Sequence, residues 1–229
     1  TGSQDGIAMM LDTIINPNDA ILVEEPTYIG TLATLRPYNP TLVGIPIDQM
    51  GIIPELLAKR LDEWKDVNTK PKVLYLIPTG QNPSGSTMSQ ERREQVYKIC
   101  SDHNILIIED DPYWHLKLTT PLGNDPEPVK SLFSMDTEGR VIRLDSFSKI
   151  MSAGMRLGCM SLPTALFEKV EFVQQGTVLH TSGVSQALLL SVLKTWGTEG
   201  WLAHLKRVRA FYSQRRNVFL RCLEKHLTG

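Results

Sequence analysis

The sequence is poor in the features that mark several protein classes. It has three cysteines, Cys100, Cys159 and Cys222, and no C-x-x-C pair. That argues against a disulfide scaffold or a thiolate metal site and favours free thiols in a reducing compartment. Charge of one sign is not in excess: 24 basic residues face 25 acidic ones. No global field therefore draws the chain to nucleic acid or to an anionic membrane surface. No apolar run approaches the roughly 18 residues of a membrane span, and no secretory signal opens the chain. His103, His180, His204 and His226 lack metal-ligand spacing, so no metal site is expected. Internal repeats and low-complexity tracts are missing too. What remains is a chain of 229 residues with 41% hydrophobic content, enough to bury a substantial single core.

Short apolar runs alternate along it with helical periods. Ile7, Met10, Leu11, Ile14 and Ile15 follow helical spacing until Asn16-Pro17-Asn18 stops them. Strands are expected over residues 20–24, 42–46, 73–77, 105–109, 141–144 and 157–161. Helices are expected over 28–35, 54–64, 89–101 and 163–178, with Thr87 and Gln90 spaced as a capping box before the third. After Gly183 the strand pattern ends. One helix is expected over 185–195 and a longer amphipathic one over 199–226. The apolar line of the latter is Trp201, Leu205, Val208, Tyr212, Phe219, Cys222 and Leu223. The polar, Pro-containing stretch 121–130 reads as a loop. This alternation predicts an α/β fold, a mostly parallel sheet with helices on both faces. Ligands of such sheets sit beyond the carboxyl ends of the strands. Asn82, Asp110 and Ser146 each follow a strand run by a few residues, where such a site needs polar groups.

The densest chemistry is Ser146-Phe147-Ser148-Lys149, followed by Gly154, Arg156 and Gly158, just after the strand run Val141-Ile142-Arg143-Leu144. A buried or crowded lysine loses its proton readily and becomes a nucleophile that captures an aldehyde as a Schiff base. An arginine fork and serine hydroxyls recognise phosphate. Together they suit a cofactor with both an aldehyde and a phosphate, pyridoxal 5'-phosphate. An isolated loop lysine would simply be solvated; the flanking hydroxyls and arginine reverse that reading. If the strand persists, Ser146 and Ser148 point one way and Phe147 the other. Gly2-Ser3-Gln4 opens the first helix, where free N–H groups and the helix dipole attract phosphate. A Gly-Ser start is also common at ordinary helix caps.

The segment DSFSKIMSAGMRLG resembles the Schiff-base motif of class I/II aminotransferases, the fold type I pyridoxal phosphate enzymes. With TGSQDG, EEPTY, PTGQNPSG, EDDPYW and DTEGRVIRLDSFSK in the family's order, the resemblance covers nearly the whole chain. Within the family it is similar to the kynurenine/2-aminoadipate and fungal aromatic aminotransferases. The resemblance implies that Lys149 captures the cofactor and later carries a proton between the substrate α-carbon and the cofactor. It implies Arg156 as the main phosphate counter-charge, with Ser146, Ser148, Ser3 and Gln4 nearby. Asp110 would stand beside the ring nitrogen and keep it protonated, so that the ring acts as an electron sink. Tyr113 and Asn82 would hydrogen-bond the phenolic oxygen, Asn82 also the substrate carboxylate, and Tyr28 would stack on the ring. Asp111 is the alternative acid, but it misses the family's three-residue spacing to the tyrosine. The plain alternative for Asp110 and Asn82 is a turn role after a strand, and for Tyr28 a place in the core. Trp114 and His115 border the motif with nothing to separate them from packing residues.

The implied activity is transamination between a large or aromatic amino acid, of the 2-aminoadipate and kynurenine class, and a 2-oxo acid such as 2-oxoglutarate. Two alternatives share these blocks. One is the effector domain of a transcription regulator, which a basic helix-turn-helix would reveal; the other is a lyase or synthase, which product analysis would separate. The family resemblance makes residues 1–197 a cofactor-binding large domain lacking its N-terminal part. It makes 198–229 a long helix toward a small domain outside the chain, where the arginine for the substrate carboxylate is expected. A homodimer in the cytoplasm, or in the mitochondrion, completes these expectations.

Overall fold

The computed structural model describes residues 1–118 and 129–227. Helix α1 (Ser3–Ile14) precedes β1 (Ala20–Glu25), and α2 (Ile29–Leu35) leads to β2 (Thr41–Asp48). A two-residue β3 (Gly51–Ile52) folds back antiparallel on β2, and α3 (Pro54–Asp62) returns the chain to β4 (Val73–Leu76). Helix α4 (Gln90–Asp102), β5 (Leu106–Asp110), the short α5 (Leu132–Met135) and β6 (Val141–Ser146) continue the alternation. Strand β7 (Gly158–Ser161) pairs antiparallel with β6 and is followed by α6 (Thr164–Thr177) and α7 (Gly183–Leu227). Among the described residues the sheet has seven strands in the order β3-β2-β1-β4-β5-β6-β7. Every pairing from β2 across to β6 is parallel. The expected mostly parallel α/β sheet is therefore present.

Side chains that alternate along each strand divide the interior into two cores. On one face Leu22, Leu74, Leu76, Ile107 and Val141 pack with Leu57 and Leu61 of α3, Val96 and Cys100 of α4 and Leu132 of α5. On the other face Ile21, Val23, Val73, Tyr75, Ile108, Ile142 and Leu144 pack with Ile7, Met10 and Leu11 of α1, Leu35 of α2 and Val170 of α6. Each fully buried aliphatic side chain contributes about 1.5–3 kcal/mol. The chain runs from β1 outward through β2 to β3, then crosses to β4 on the opposite side of β1. That reversal opens a crevice at the carboxyl ends of the central strands, the place where α/β sheets hold ligands.

Several details differ from the sequence expectations. Ser89, not Thr87, caps α4: its hydroxyl accepts from the Arg92 N–H at 3.2 Å. Thr87 accepts from the Gly80 N–H instead, and Gln90 bonds Glu94 and the Lys130 N–H, so no capping box forms. The two C-terminal helices run together as α7, broken at Gly197, whose φ of 58° lies where only glycine is comfortable. Along that helix's apolar line Leu205 is buried, but Tyr212, Phe219 and Cys222 are exposed. The loop expected over 121–130 lies, but for its last two residues, outside the described residues. No helix among the described residues is long and apolar enough to cross a membrane.

Candidate active site

A cavity of about 210 Å³ lies at the carboxyl ends of the central strands. Tyr28, after β1, and Asn82, after β4, border it. Asp110 at the end of β5 and Tyr113 beyond it form another part of the wall. Ser146, Ser148, Lys149 and Arg156 come from the end of β6 and the turn after it, and Ser3 and Gln4 from the first turn of α1. The residues read from the sequence as the cofactor site thus reach one cavity from five stretches of chain. Ser146 ends its strand, and Ser148 lies in the following turn with its N–H donating to the Ser146 hydroxyl at 3.2 Å. A turn, not a longer strand, brings both hydroxyls to the same side.

One end of the cavity is suited to an anion. Helix α1 starts there with no side-chain cap, so its first N–H groups are free of helical partners. Arg156, in the left-handed conformation (φ 51°), turns its guanidinium to the Ala153 and Thr1 carbonyls and toward the Ser148 hydroxyl at 3.5 Å. Gly2 and Gly158 make this closeness possible. A Cβ on Gly2 would stand 2.9 Å from the Arg156 guanidinium, and one on Gly158 3.1 Å from the Ser3 backbone nitrogen. The Gln4 side chain bonds the Gly30 carbonyl and Thr34 hydroxyl of α2, which leaves its backbone N–H as its contribution at the helix start.

The other end holds Asp110. Its carboxylate is 3% exposed; Oδ2 accepts the Tyr75 hydroxyl at 2.8 Å and Oδ1 has no hydrogen-bond partner. Burial pushes Asp110 up to about 7, the Tyr75 hydrogen bond pulls it down, and the Asp111 and Asp145 charges push it further up. A buried carboxylate with one oxygen unbonded is a costly arrangement that a cation entering from the cavity would relieve. Tyr113 is held above the ordinary phenol range by burial and by the Asp110 charge, while the Asn82 side chain draws it down.

One feature departs from the sequence reading. Lys149 is not buried: it is exposed on the cavity's open side, its ammonium 5.9 Å from the Tyr113 ring centroid. Asp111 faces the opposite side of the sheet, 3.2 Å from Arg143, in a buried network with Glu109 and Arg93. Trp114 and His115 are packing residues. The Trp114 indole carries Arg143, Arg93 and Lys117 against its face, and His115 meets Trp201 edge-on. Among the described residues no cluster of His, Cys, Asp and Glu could hold a metal ion.

The sequence model of the family Aminotransferase class I and II matches residues 1–228. The chain belongs to this family. It is 40% identical over 235 residues to the mouse mitochondrial kynurenine/alpha-aminoadipate aminotransferase, covering 100% of this chain and 54% of that one. Aminotransferase Aro8 from Candida albicans superposes with a TM-score of 0.91 at 38% identity, over 98% of this chain and 50% of that one. A Pyrococcus horikoshii kynurenine aminotransferase in complex with PMP, KYN as substrates and KYA as products superposes at 0.89 and 34% identity, over 97% and 53%. The chain spans about half the length of these aminotransferases.

Beside the residues read from the sequence, this class I/II aminotransferase chain places three more behind the cavity. Tyr75 holds Asp110. Glu24, 1% exposed, accepts from the Ile77 N–H and from Gln81. Gln81 in turn donates to the Pro26 carbonyl and accepts from the Ser84 N–H, which fixes the turn that carries Asn82. The available signal was polarity inside an apolar run: a tyrosine or glutamate in a buried strand must find a partner.

Proposed function

We propose that the chain carries the pyridoxal 5'-phosphate site of an aminotransferase acting between a large or aromatic amino acid and a 2-oxo acid. The donor class is that of 2-aminoadipate and kynurenine, and the acceptor is a 2-oxo acid such as 2-oxoglutarate. The observation that carries this is the single cavity in which an amine, an anion-binding helix start with Arg156, and an unbonded buried carboxylate oxygen meet. The relatives' names, kynurenine/alpha-aminoadipate and aromatic amino acid aminotransferase, favour this over a regulator's effector domain or a lyase on the same fold.

The residues fit the cofactor from end to end. Ser146, Ser148, Arg156 and the N–H groups of Ser3 and Gln4 would bind its phosphate. Asp110 Oδ1 would meet the ring nitrogen and hold a proton there, which also supplies the partner that this oxygen lacks. Tyr113 and Asn82 would bond the phenolic oxygen, and Tyr28 would cover the ring. When bound, pyridoxal phosphate supplies the electron sink that makes an amino acid's α-proton removable. Lys149 would supply the amine that anchors the cofactor and, once displaced by the substrate, would take the proton from the α-carbon at its Nζ. Its exposed position suits both acts, since an incoming amino acid must reach that nitrogen. Asn82 would steady the substrate carboxylate. The working form is a homodimer, in the cytoplasm or the mitochondrion, where the free thiols of Cys100, Cys159 and Cys222 persist.

Borohydride reduction of the cofactor-loaded protein followed by peptide mapping tests the site. The pyridoxyl group is expected on Lys149, and Lys149→Ala should abolish both the adduct and transamination of 2-aminoadipate or kynurenine with 2-oxoglutarate. An adduct on another lysine would overturn the assignment.

A further inference from the structure

We propose that Tyr75 is a positioning residue that presents one oxygen of Asp110 to the cofactor's ring nitrogen by holding the other. This rests on the cofactor reading above and adds to it a residue that touches neither cofactor nor substrate. Tyr75 is fully buried in β4, on the strand face shared with Val73 and Ile77. Its cross-strand neighbour is Ile108, and two residues further along β5 the same face carries Asp110. The strand register therefore aims the phenol along the sheet at the carboxylate that ends the adjacent strand. The 2.8 Å bond goes to Oδ2, and it leaves Oδ1, buried and unbonded, for the cavity.

A carboxylate on one rotatable bond does not choose between its oxygens; a single fixed donor makes that choice. The phenol is suited to this, because its ring packs in a core at organic-crystal density and cannot swing away. It also favours the charged form. The charges of Asp111, across the sheet, and Asp145 disfavour a further anion at Asp110, and the Asp110 charge in turn disfavours ionised Glu24 and Tyr113. Lys149 and Arg156 border the same cavity. Against burial and those acids, the Tyr75 hydroxyl is the direct hydrogen bond that favours the carboxylate.

The experiment reads Asp110 before it reads the enzyme. In the cofactor-free full chain, carbon-detected NMR of the aspartate carboxyls, with Asp110→Asn assigning the signal, follows the Asp110 titration: Tyr75→Phe should raise its midpoint by about one pH unit over wild type, as expected for a lost hydrogen bond to a charged group. With nitrogen-15 pyridoxal phosphate bound, the same variant should lose the pyridinium signal at a pH about one unit below wild type. An unmoved carboxyl midpoint and unmoved nitrogen signal in a Tyr75→Phe protein that melts like wild type would overturn the proposal. Should that variant not fold, 3-fluorotyrosine at position 75 keeps the shape and strengthens the donor. It should lower the Asp110 midpoint, and no movement would again sink the idea. If wild type binds no pyridoxal phosphate, the cofactor reading fails while the cofactor-free titration still decides whether Tyr75 holds Asp110.

Discussion

At the end of β5, one peptide unit separates two buried carboxylates with different neighbours. Asp110 borders the cavity and leans on a neutral phenol, whereas Asp111 lies 3.2 Å from the Arg143 guanidinium on the far side of the sheet. Substitution should separate their roles. Asp110→Asn is expected to keep the fold and to lose roughly tenfold to a hundredfold in kcat/KM, the value of one charged hydrogen bond, before any loss of the electron sink. Asp111→Asn should leave Arg143 with Glu109 and Asp145, so turnover changes little and thermal stability falls by about 1–3 kcal/mol. Steady-state kinetics and melting curves on both proteins test the pair. A larger kinetic loss for Asp111→Asn would reverse the assignment. Both acids were visible in the sequence, and the spacing to Tyr113 favoured Asp110. Tyr75 was not visible as a site residue, because a tyrosine between Leu74 and Leu76 reads as core until the strand register shows what its hydroxyl meets.

The meeting of α1 with β6 and β7 shows how elements, not single side chains, make the anion end. Gly158 pairs with Ser146, and a Cβ there would lie 2.7 Å from the Asp145 carbonyl and 3.1 Å from the Ser3 nitrogen. Both obstacles are backbone, so neither can step aside. Gly158→Ala should push the first turn of α1 off the sheet, weakening pyridoxal phosphate binding by more than tenfold and lowering the melting temperature. Gly176→Ala is the control: it lies inside α6 with open space around it and should stabilise by up to about 1 kcal/mol. Equal cofactor affinity in the two variants would refute the claim of close approach. The strands of the central sheet were legible because β-branched and leucine runs covered on both faces leave few alternatives. Two-residue β3 and four-residue α5 were not, being shorter than any period can show. The cap of α4 was misread because Thr87 and Ser89 both precede the helix, and only the backbone path decides which hydroxyl meets its N–H groups. The apolar line of α7 was seen correctly as a line, but a periodic stripe says nothing about what covers it.

Across the whole molecule, two buried acids at or behind the cavity lead the response of stability to pH above about pH 6, while Asp111, pushed up to about 6 chiefly by burial, adds to it below that. Burial pushes Glu24 up to about 8, against the Ile77 and Gln81 hydrogen bonds, and Asp110 up to about 7. Each therefore binds its proton more tightly folded than unfolded. Their stabilising effect is full below the unfolded carboxylate range and is lost as pH rises toward the folded values. Other groups work elsewhere. Asp19, Asp48 and Asp136, lowered by hydrogen bonds and cations, cost stability only when protonated near pH 4 and below. His115, lowered by burial, costs stability below its ordinary value near 6.5, and Lys117, lowered to about 8 chiefly by burial, acts above that. Between about pH 6.5 and 8 Glu24 should dominate, at about 1.4 kcal/mol per pH unit for each acid still protonated in the fold. The cofactor-free protein is thus expected to melt at progressively lower temperature as pH rises through that window. Glu24→Gln keeps the shape and removes the proton, so its melting temperature should be flatter with pH and higher than wild type at pH 8. Calorimetric melts of the two proteins at half-unit steps provide the measurement. Parallel curves for the two would mean that Glu24 is already ionised in the fold, and that the Ile77 and Gln81 bonds outweigh its burial.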